Sequence, residues 1–439
     1  MRRTGPEEPE AGGTGDPSPE PTGTPPAEAG DGHPRERESP RTGTDAPHEP
    51  SDTRTDAPRD PSAPDADTDA DTDTDADTEA DAGADAGADT PAGHDPAPTK
   101  TRSPWPRRVG RGVLALVLVL LLPVLAAQAA LRINYTGDPA DGTRTRDRDA
   151  LWLGHAWVDG RKTDVDVTAL ARQLRGTGIR DLYVHSGPLE HDGSLPKSAY
   201  PRARWLIEAV HREIPGVRVQ AWLGDILAPE HPEALHLERA ASRAAILRST
   251  REVLDTGYDG VHFDLEPLHS GDRDFLALLD ALHRETRSRD VPLSVAAHQI
   301  DPLPAFHSFW GTLTGHPKWW SQEYFGQVAR RVDQIALMSY DTIQPLESTY
   351  GGYVAQQTAL ALEVTPPSTD LLMGLPFFKE NRFGHWAHAE TVPAAVRGVR
   401  LGLSRTDADR ARFGVALYVD FAATEADWAA YRRDWVNRR

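Results

Sequence analysis

The chain has 439 residues, no cysteine, and a formal net charge of −19 from 48 basic and 67 acidic side chains. The lack of cysteine excludes disulfides and thiolate metal sites. Residues 1–100 carry 26 acidic and 8 basic side chains, a net of −18, so the acidity belongs to the N-terminal tail, and no basic stripe in the remainder speaks for nucleic acid as a partner.

Residues 1–104 are dominated by Pro, Gly, Thr, Ala, Asp and Glu, and "DADTDADTDTDADTEADAGADAGAD" is low-complexity. Such a segment has almost no apolar surface to offset chain entropy, so a disordered acidic tail is expected. Residues 105–132 form a basic flank and an apolar run. "VLALVLVLLLPVLAAQAAL" at 113–131 has no charge in 19 positions. At roughly 1.5 Å per residue it just crosses a bilayer core of about 30 Å. Pro123 is tolerable in such a helix. Arg107, Arg108 and Arg111 precede the run and only Arg132 follows closely. The positive-inside bias puts the tail in the cytoplasm and the C-terminal part outside, as a single-pass membrane protein. "AQA" at 127–129 resembles a signal cleavage site, but the long leading segment fits an uncleaved anchor better.

Residues 133–149 read as a polar linker. Over 150–439, apolar runs of strand length alternate with helix-period segments. The candidate strands are 151–158, 181–187, 217–224, 260–267, 292–299, 334–341, 370–378 and 413–421. Between them, Val167, Leu170, Ala171 and Leu174 repeat at helical spacing, as do Phe275, Leu278, Leu279 and Leu282. Thr424 and Asp427 form a capping-box pattern before Trp428, Tyr431 and Trp435. Eight strand–helix units over about 290 residues fit an α/β (β/α)8 TIM barrel. No glycine-rich phosphate loop follows the first strand, which speaks against a doubly wound sheet.

The run "YDGVHFDLEP", Tyr258 to Pro267, carries polar side chains at every second position. Strand side chains alternate between the helix layer and the barrel interior. Val261, Phe263 and Leu265 should face the helices. His262, Asp264 and Glu266 should point inward, with Glu266 nearest the C-terminal mouth. Burying such groups without purpose costs several kcal/mol per unpaired charge, and barrel enzymes place their chemistry at that end. His185, Asp225, His298, Tyr340, Asp341, Tyr418 and Asp420 fall at the same ends of other strands. A satisfied internal hydrogen-bond cluster is the plainer alternative.

"DGVHFDLEP" resembles the fourth-strand signature of family 18 glycoside hydrolases, the chitinase-like barrels, with pattern DGxDxDxE. Asp259, Gly260, Asp264 and Glu266 match it, and His262 replaces the middle aspartate. "VDQIALMSYD" at 332–341 is similar to that family's sixth strand, which ends in MxYD, and "LLMGLPFF" at 371–378 to its seventh. Tyr418 stands where the family usually has tryptophan, and "VQAWLGD" lacks the usual double glycine. The resemblance implies that Glu266 is the general acid. It implies that Asp264 orients the substrate's 2-acetamido group, itself the nucleophile, and that its charge helps to keep Glu266 protonated. Tyr340 would bond the acetamido oxygen and Asp341 would contact substrate. His262, as a replacement, would hydrogen-bond Asp264 or, if charged, stabilise its ionised form. No cofactor or metal is required by this chemistry. Flat aromatic faces suit sugars, and Trp222 has the inward phase. Trp310, Trp319, Trp320 and Trp386 lie in long segments after the fifth and seventh strands, with 300–323 a candidate binding loop. Asp225 and Tyr418 complete the expected substrate contacts.

The reading is a membrane-anchored extracellular glycosidase-like protein acting on N-acetylhexosamine glycans, with a polysaccharide or oligosaccharide as partner and the bilayer engaged through 113–131. Three rivals stand beside it. One is an inactive barrel that binds glycans or a wall protein. Another is a metal-dependent hydrolase using His155, His185, His262 and His298. The last is a glycosidase with two enzyme carboxylates, Glu266 paired with Asp341, Asp225 or Asp420.

Overall fold

The structure is a computed structural model that describes residues 105–228, 231–381 and 384–437. The acidic segment 1–104 lies outside the described residues. Among these, the strands in chain order are β1 (Asp149–Leu153), β2 (Ile179–Pro188), β3 (Arg218–Ile226), β4 (Gly260–Glu266), β5 (Leu293–Ala297), β6 (Gln299–Ile300), β7 (Trp319–Trp320), β8 (Gln334–Leu337), β9 (Asp370–Pro376) and β10 (Phe413–Tyr418). Eight of them close in the order β1-β10-β9-β8-β5-β4-β3-β2, and β6 and β7 form a separate pair. Every neighbour is parallel. Each of the eight strands expected from the sequence is a barrel strand.

The helices are α1 (Trp105–Asn134), α2 (Asp164–Leu174), α3 (Ala203–Glu213), α4 (Ala240–Thr256), α5 (Arg273–Ser288), α6 (Phe306–Thr314), α7 (Gln322–Ala329), α8 (Glu347–Val364), α9 (Val392–Thr406) and α10 (Glu425–Tyr431). Local chemistry sets their starts. Asp272 accepts the Phe275 N–H at 2.8 Å ahead of α5. The Thr424–Asp427 capping box forms as the sequence indicates, with Thr424 N–H donating to Asp427 at 3.0 Å.

Side-chain phase on the strands is as the alternation requires. Val261, Phe263 and Leu265 are buried in the large apolar layer between sheet and helices. The interior has its own cluster, built on Ala150, Trp152, Tyr183, Ala336, Leu372 and Ala416. Below it a polar plug fills the strand-start end. Gln220 donates to Asp181 at 2.8 Å and to Gln334 at 2.7 Å, Gln334 donates to Asp181 at 2.8 Å, and Arg218 grips Asp181 at 2.7 and 2.8 Å. Asp181 thereby has both carboxylate oxygens paired.

The segment 300–323, expected as a candidate binding loop, has structure of its own. It folds into α6 and β7, and β7 pairs with β6. Trp319 and Trp320 are buried there, with Trp319 bonded to the Tyr353 hydroxyl at 2.7 Å and Trp320 to the Leu268 carbonyl at 2.8 Å. They pack and do not present faces to a sugar.

α1 contains a window, Val117–Asn134, of mean hydropathy 1.9, long and apolar enough to cross a membrane. Its C-terminal end lies against α8. Asn134 donates to the Gly352 carbonyl at 2.7 Å, and Gln128 to Gln344 at 3.0 Å. Leu131 and Tyr135 occupy the space that side chains at Gly352 and Gly351 would fill.

Candidate active site

The parallel register of β3 and β4 pairs Trp222 with His262, Gly224 with Asp264 and Ile226 with Glu266. Inward residues of β4 thus rise in three steps from the interior to the mouth. His262 is fully buried at the lowest step. Asp264 is partly covered, and the Glu266 side chain is 44% exposed.

Asp264, Glu266, Tyr340, Asp341 and Tyr418 line one cavity of about 220 Å³, together with His298, Gln299, Pro317, Lys318 and Met338. Five of the eight residues expected at the site therefore meet. Trp222 stands beside them and donates its indole N–H to Asp264 Oδ2 at 3.1 Å. The other Asp264 oxygen is buried with no hydrogen-bond partner among the described residues. Burial pushes the Asp264 carboxyl up to about 6, against the lowering effect of Trp222. Tyr340 stacks on Tyr418 with ring centres 5.3 Å apart, in space that Gly374 leaves open. Burial holds the Tyr340 phenol well above its ordinary range, so it remains an O–H donor.

Two expected contacts are not made. His262 touches neither the cavity nor Asp264. Its Nε2 accepts the Trp152 indole N–H at 3.1 Å, its Nδ1 lies 2.8 Å from Ser294 Oγ, and its ring stacks on Tyr183 at 3.8 Å. With both nitrogens used internally and burial lowering it to about 3, it is a neutral core residue. Asp225 is also misplaced by the sequence reading. Trp222 and Gly224 take the inward phase of β3, so Asp225 turns outward, where His191 Nδ1 sits 3.2 Å from each of its oxygens. Asp420 is held by the Gly154 N–H at 2.8 Å and the Trp157 indole at 2.7 Å, and does not line the cavity.

His298 closes the side of the cavity next to Glu266. Its Nε2 accepts the Leu268 N–H at 3.1 Å and lies 3.7 Å from Glu266 Oε1. Burial and the nearby Lys318 and His269 charges lower it to about 4, so an uncharged ring faces the acid.

Sequence reasoning missed a second tier behind Asp341. His385 Nδ1 lies 3.2 Å from Asp341 Oδ1 and 3.0 Å from Glu390 Oε2. Glu390 accepts the backbone N–H groups of Asp341 and Thr342, each at 2.7 Å. Lys318 donates to the Asp341 carbonyl at 2.6 Å. Burial disfavours a charged His385, but the bonds to Asp341 and Glu390 outweigh it and lift the ring to about 9. Asp341, His385 and Glu390 could in principle surround a cation. His385 Nδ1 is hydrogen-bonded to Glu390 Oε2, with Asp341 Oδ1 beside it as an ionic neighbour. His155, His185, His262 and His298 do not form a ligand cluster among the described residues.

No family model and no curated protein matches the sequence. Similar solved structures include a class V chitinase from Pseudomonas fluorescens Pf-5, at 14% identity and TM-score 0.45, covering 65% of this chain and 98% of that one. The spore cortex-lytic enzyme SleL of Bacillus cereus is similar at 11% identity and TM-score 0.47, over 68% of this chain and 76% of that one. A chitinase from Chromobacterium violaceum is similar at 13% identity and TM-score 0.46, over 65% of this chain and 98% of that one.

Proposed function

We propose that the barrel hydrolyses N-acetylhexosamine glycosides by acid catalysis with help from the substrate's own acetamido group. The observation that carries this reading is the placement of Asp264 and Glu266 on one face of β4, opening into a cavity shared with Tyr340. Glu266, at the solvent-reachable rim, gives its proton to the glycosidic oxygen as the anomeric C–O bond breaks. The acetamido oxygen forms the new bond to the anomeric carbon. Tyr340 donates to that oxygen and so aligns it. Asp264, when ionised, accepts the acetamido N–H and offsets the positive charge of the cyclic ion. Water then opens the ring and returns a proton to Glu266. The cavity is smaller than the ~300–1,000 Å³ of drug-sized ligand sites, so it suits a short part of a glycan, with the remainder lying along the open mouth.

We further propose that α1 crosses a membrane with the barrel on the extracellular side. Its length and hydropathy and the arginines before it support this.

The test is turnover of a chromogenic chito-oligosaccharide by the protein and by Glu266→Gln. Loss of an acid of this kind lowers the rate about 10²–10⁴-fold. Equal rates in both proteins remove Glu266 from the role. A binding-only barrel is the second reading, favoured by one observation: His262 cannot share a proton with Asp264. Glycan binding without turnover in either protein selects it.

A further inference from the structure

We infer that the mouth of the barrel is turned toward the membrane and that its rim docks on the bilayer surface. The inference rests on the proposal that α1 spans that bilayer.

The first observation is the direction of α1. Gln128 meets Gln344, which follows β8 at the mouth end. Six residues on, Asn134 has reached Gly352, in the second turn of α8. Thr136 then receives Arg405 at 2.6 Å, and the Ala140 N–H donates to Ser404 at 2.8 Å, both partners lying at the far end of α9. The chain therefore descends from the mouth to the strand-start end, where β1 begins. The part of the helix before Gln128 has only one way to go, away from the mouth side. Val113–Ala127 is about 22 Å of helix at ~1.5 Å per residue. A bilayer core of about 30 Å needs nearly all of the run 113–131. No spacer separates the apolar run from the barrel, so the rim is brought within a turn or two of the hydrocarbon edge.

The second observation is independent of α1. Among the described residues, every exposed large apolar side chain beyond α1 lies at the mouth end, on the segments that follow strands. The richest patch is α6, whose sequence FHSFWGTLT has no Asp, Glu, Lys or Arg and no buried residue. Phe309 is 61% and Leu313 68% exposed, and Leu303 just before them is 64% exposed. Trp386 and Leu346, ahead of α9 and α8, carry the surface on toward α1. Gln356, in the third turn of α8, bonds the Pro302 carbonyl at 3.0 Å, which ties the start of this patch to the helix that α1 packs against. A short helix without Asp, Glu, Lys or Arg and with Phe309 and Leu313 outward is suited to the headgroup–acyl boundary. Exposed to water, it is an unexplained cost. A mouth held in this way meets glycans carried at the surface of the same membrane.

The absence of cysteine makes the test direct. The full chain is placed in lipid nanodiscs as single-cysteine variants bearing an environment-sensitive fluorophore. Phe309→Cys and Trp386→Cys probe the rim, Ser288→Cys the opposite end of the barrel, and Leu121→Cys the helix. Quenching by a lipid labelled near its headgroup is compared with quenching by an aqueous nickel chelate. Lipid quenching at both rim positions, with Ser288 reached only by the chelate, is the expected result. Rim labels open to the chelate while Leu121 is lipid-quenched overturn the inference and leave the membrane anchor standing. Rim labels shielded from both quenchers point to a protein or second-copy contact and overturn it as well. A Leu121 label untouched by lipid overturns the anchor and the inference together.

Discussion

The Trp152 indole N–H is bonded to His262 Nε2 at 3.1 Å, and that bond decides what His262 can do. It fixes the unprotonated nitrogen and leaves Nδ1–H for Ser294. Protonation must break it inside a dry core. The lowered folded value, about 3, lies below the ordinary 6.5. The unfolded chain therefore binds the proton first, and stability is lost as pH falls from about 6.5 toward 3. The difference is on the order of 5 kcal/mol. His262→Gln, which cannot take up a proton, should flatten this acid slope. Denaturant midpoints of both proteins between pH 7 and pH 5 check it. Parallel slopes refute the assignment.

Asp264 has the opposite sign for a carboxylate. Its folded value is raised from 3.8 to about 6. Its contribution to stability is present below pH 3.8 and lost as pH rises through about 6, so above pH 6 the ionised group destabilises the fold. Asp264→Asn should stabilise the protein at pH 8 by on the order of 2 kcal/mol while slowing turnover. The wild-type rate should climb through about pH 6 as Asp264 ionises, and that limb should vanish in the variant. A thermal melt and a pH–rate profile on the same samples are required. A variant that is both less stable and unchanged in profile contradicts the role.

His385 joins two carboxylates that would otherwise face each other. Its folded value, about 9, exceeds 6.5. The stabilisation is fully present below pH 6.5 and disappears as pH rises through about 9. His385→Gln leaves a buried carboxylate without its cation and should cost about 3–5 kcal/mol. Substrate affinity should also fall, since Asp341 loses its support. If KM and stability at pH 7 match the parent protein, the ring is not charged there.

The junction of α1 and α8 depends on Gly351 and Gly352 having no side chains, because Tyr135 and Leu131 fill that space. Gly352→Leu should push the end of α1 away and loosen the helix backbone around the already exposed Arg132, so that trypsin cuts there faster, with the barrel's own melting little changed. The time course of cleavage at Arg132 is the readout. Identical time courses argue against this contact.

The barrel was legible because strands buried on both faces announce themselves as apolar runs. The parity of β4 was legible for the same reason, since Val261, Phe263 and Leu265 alternate with polar neighbours. That parity, extended to β3, also excludes Asp225, because Trp222 and Asp225 are three residues apart and cannot share a face. His262 was placed in the right direction but at the wrong depth. Alternation tells which face a side chain takes, while its partners Trp152 and Ser294 come from strands 110 and 32 residues away. Trp319 and Trp320 read as loop aromatics because β6 and β7 are two residues each, too short to leave a pattern. His385 and Glu390 carry no periodic signal. They matter only because the chain returns past Asp341.

The plug of Asp181, Gln220, Gln334 and Arg218 fills the strand-start end of the barrel, so the cavity beside Glu266 lies at the opposite end of the interior. On the proposed function, a sugar cleaved at Glu266 leaves past the same Tyr340 and Tyr418 rings that line its way in.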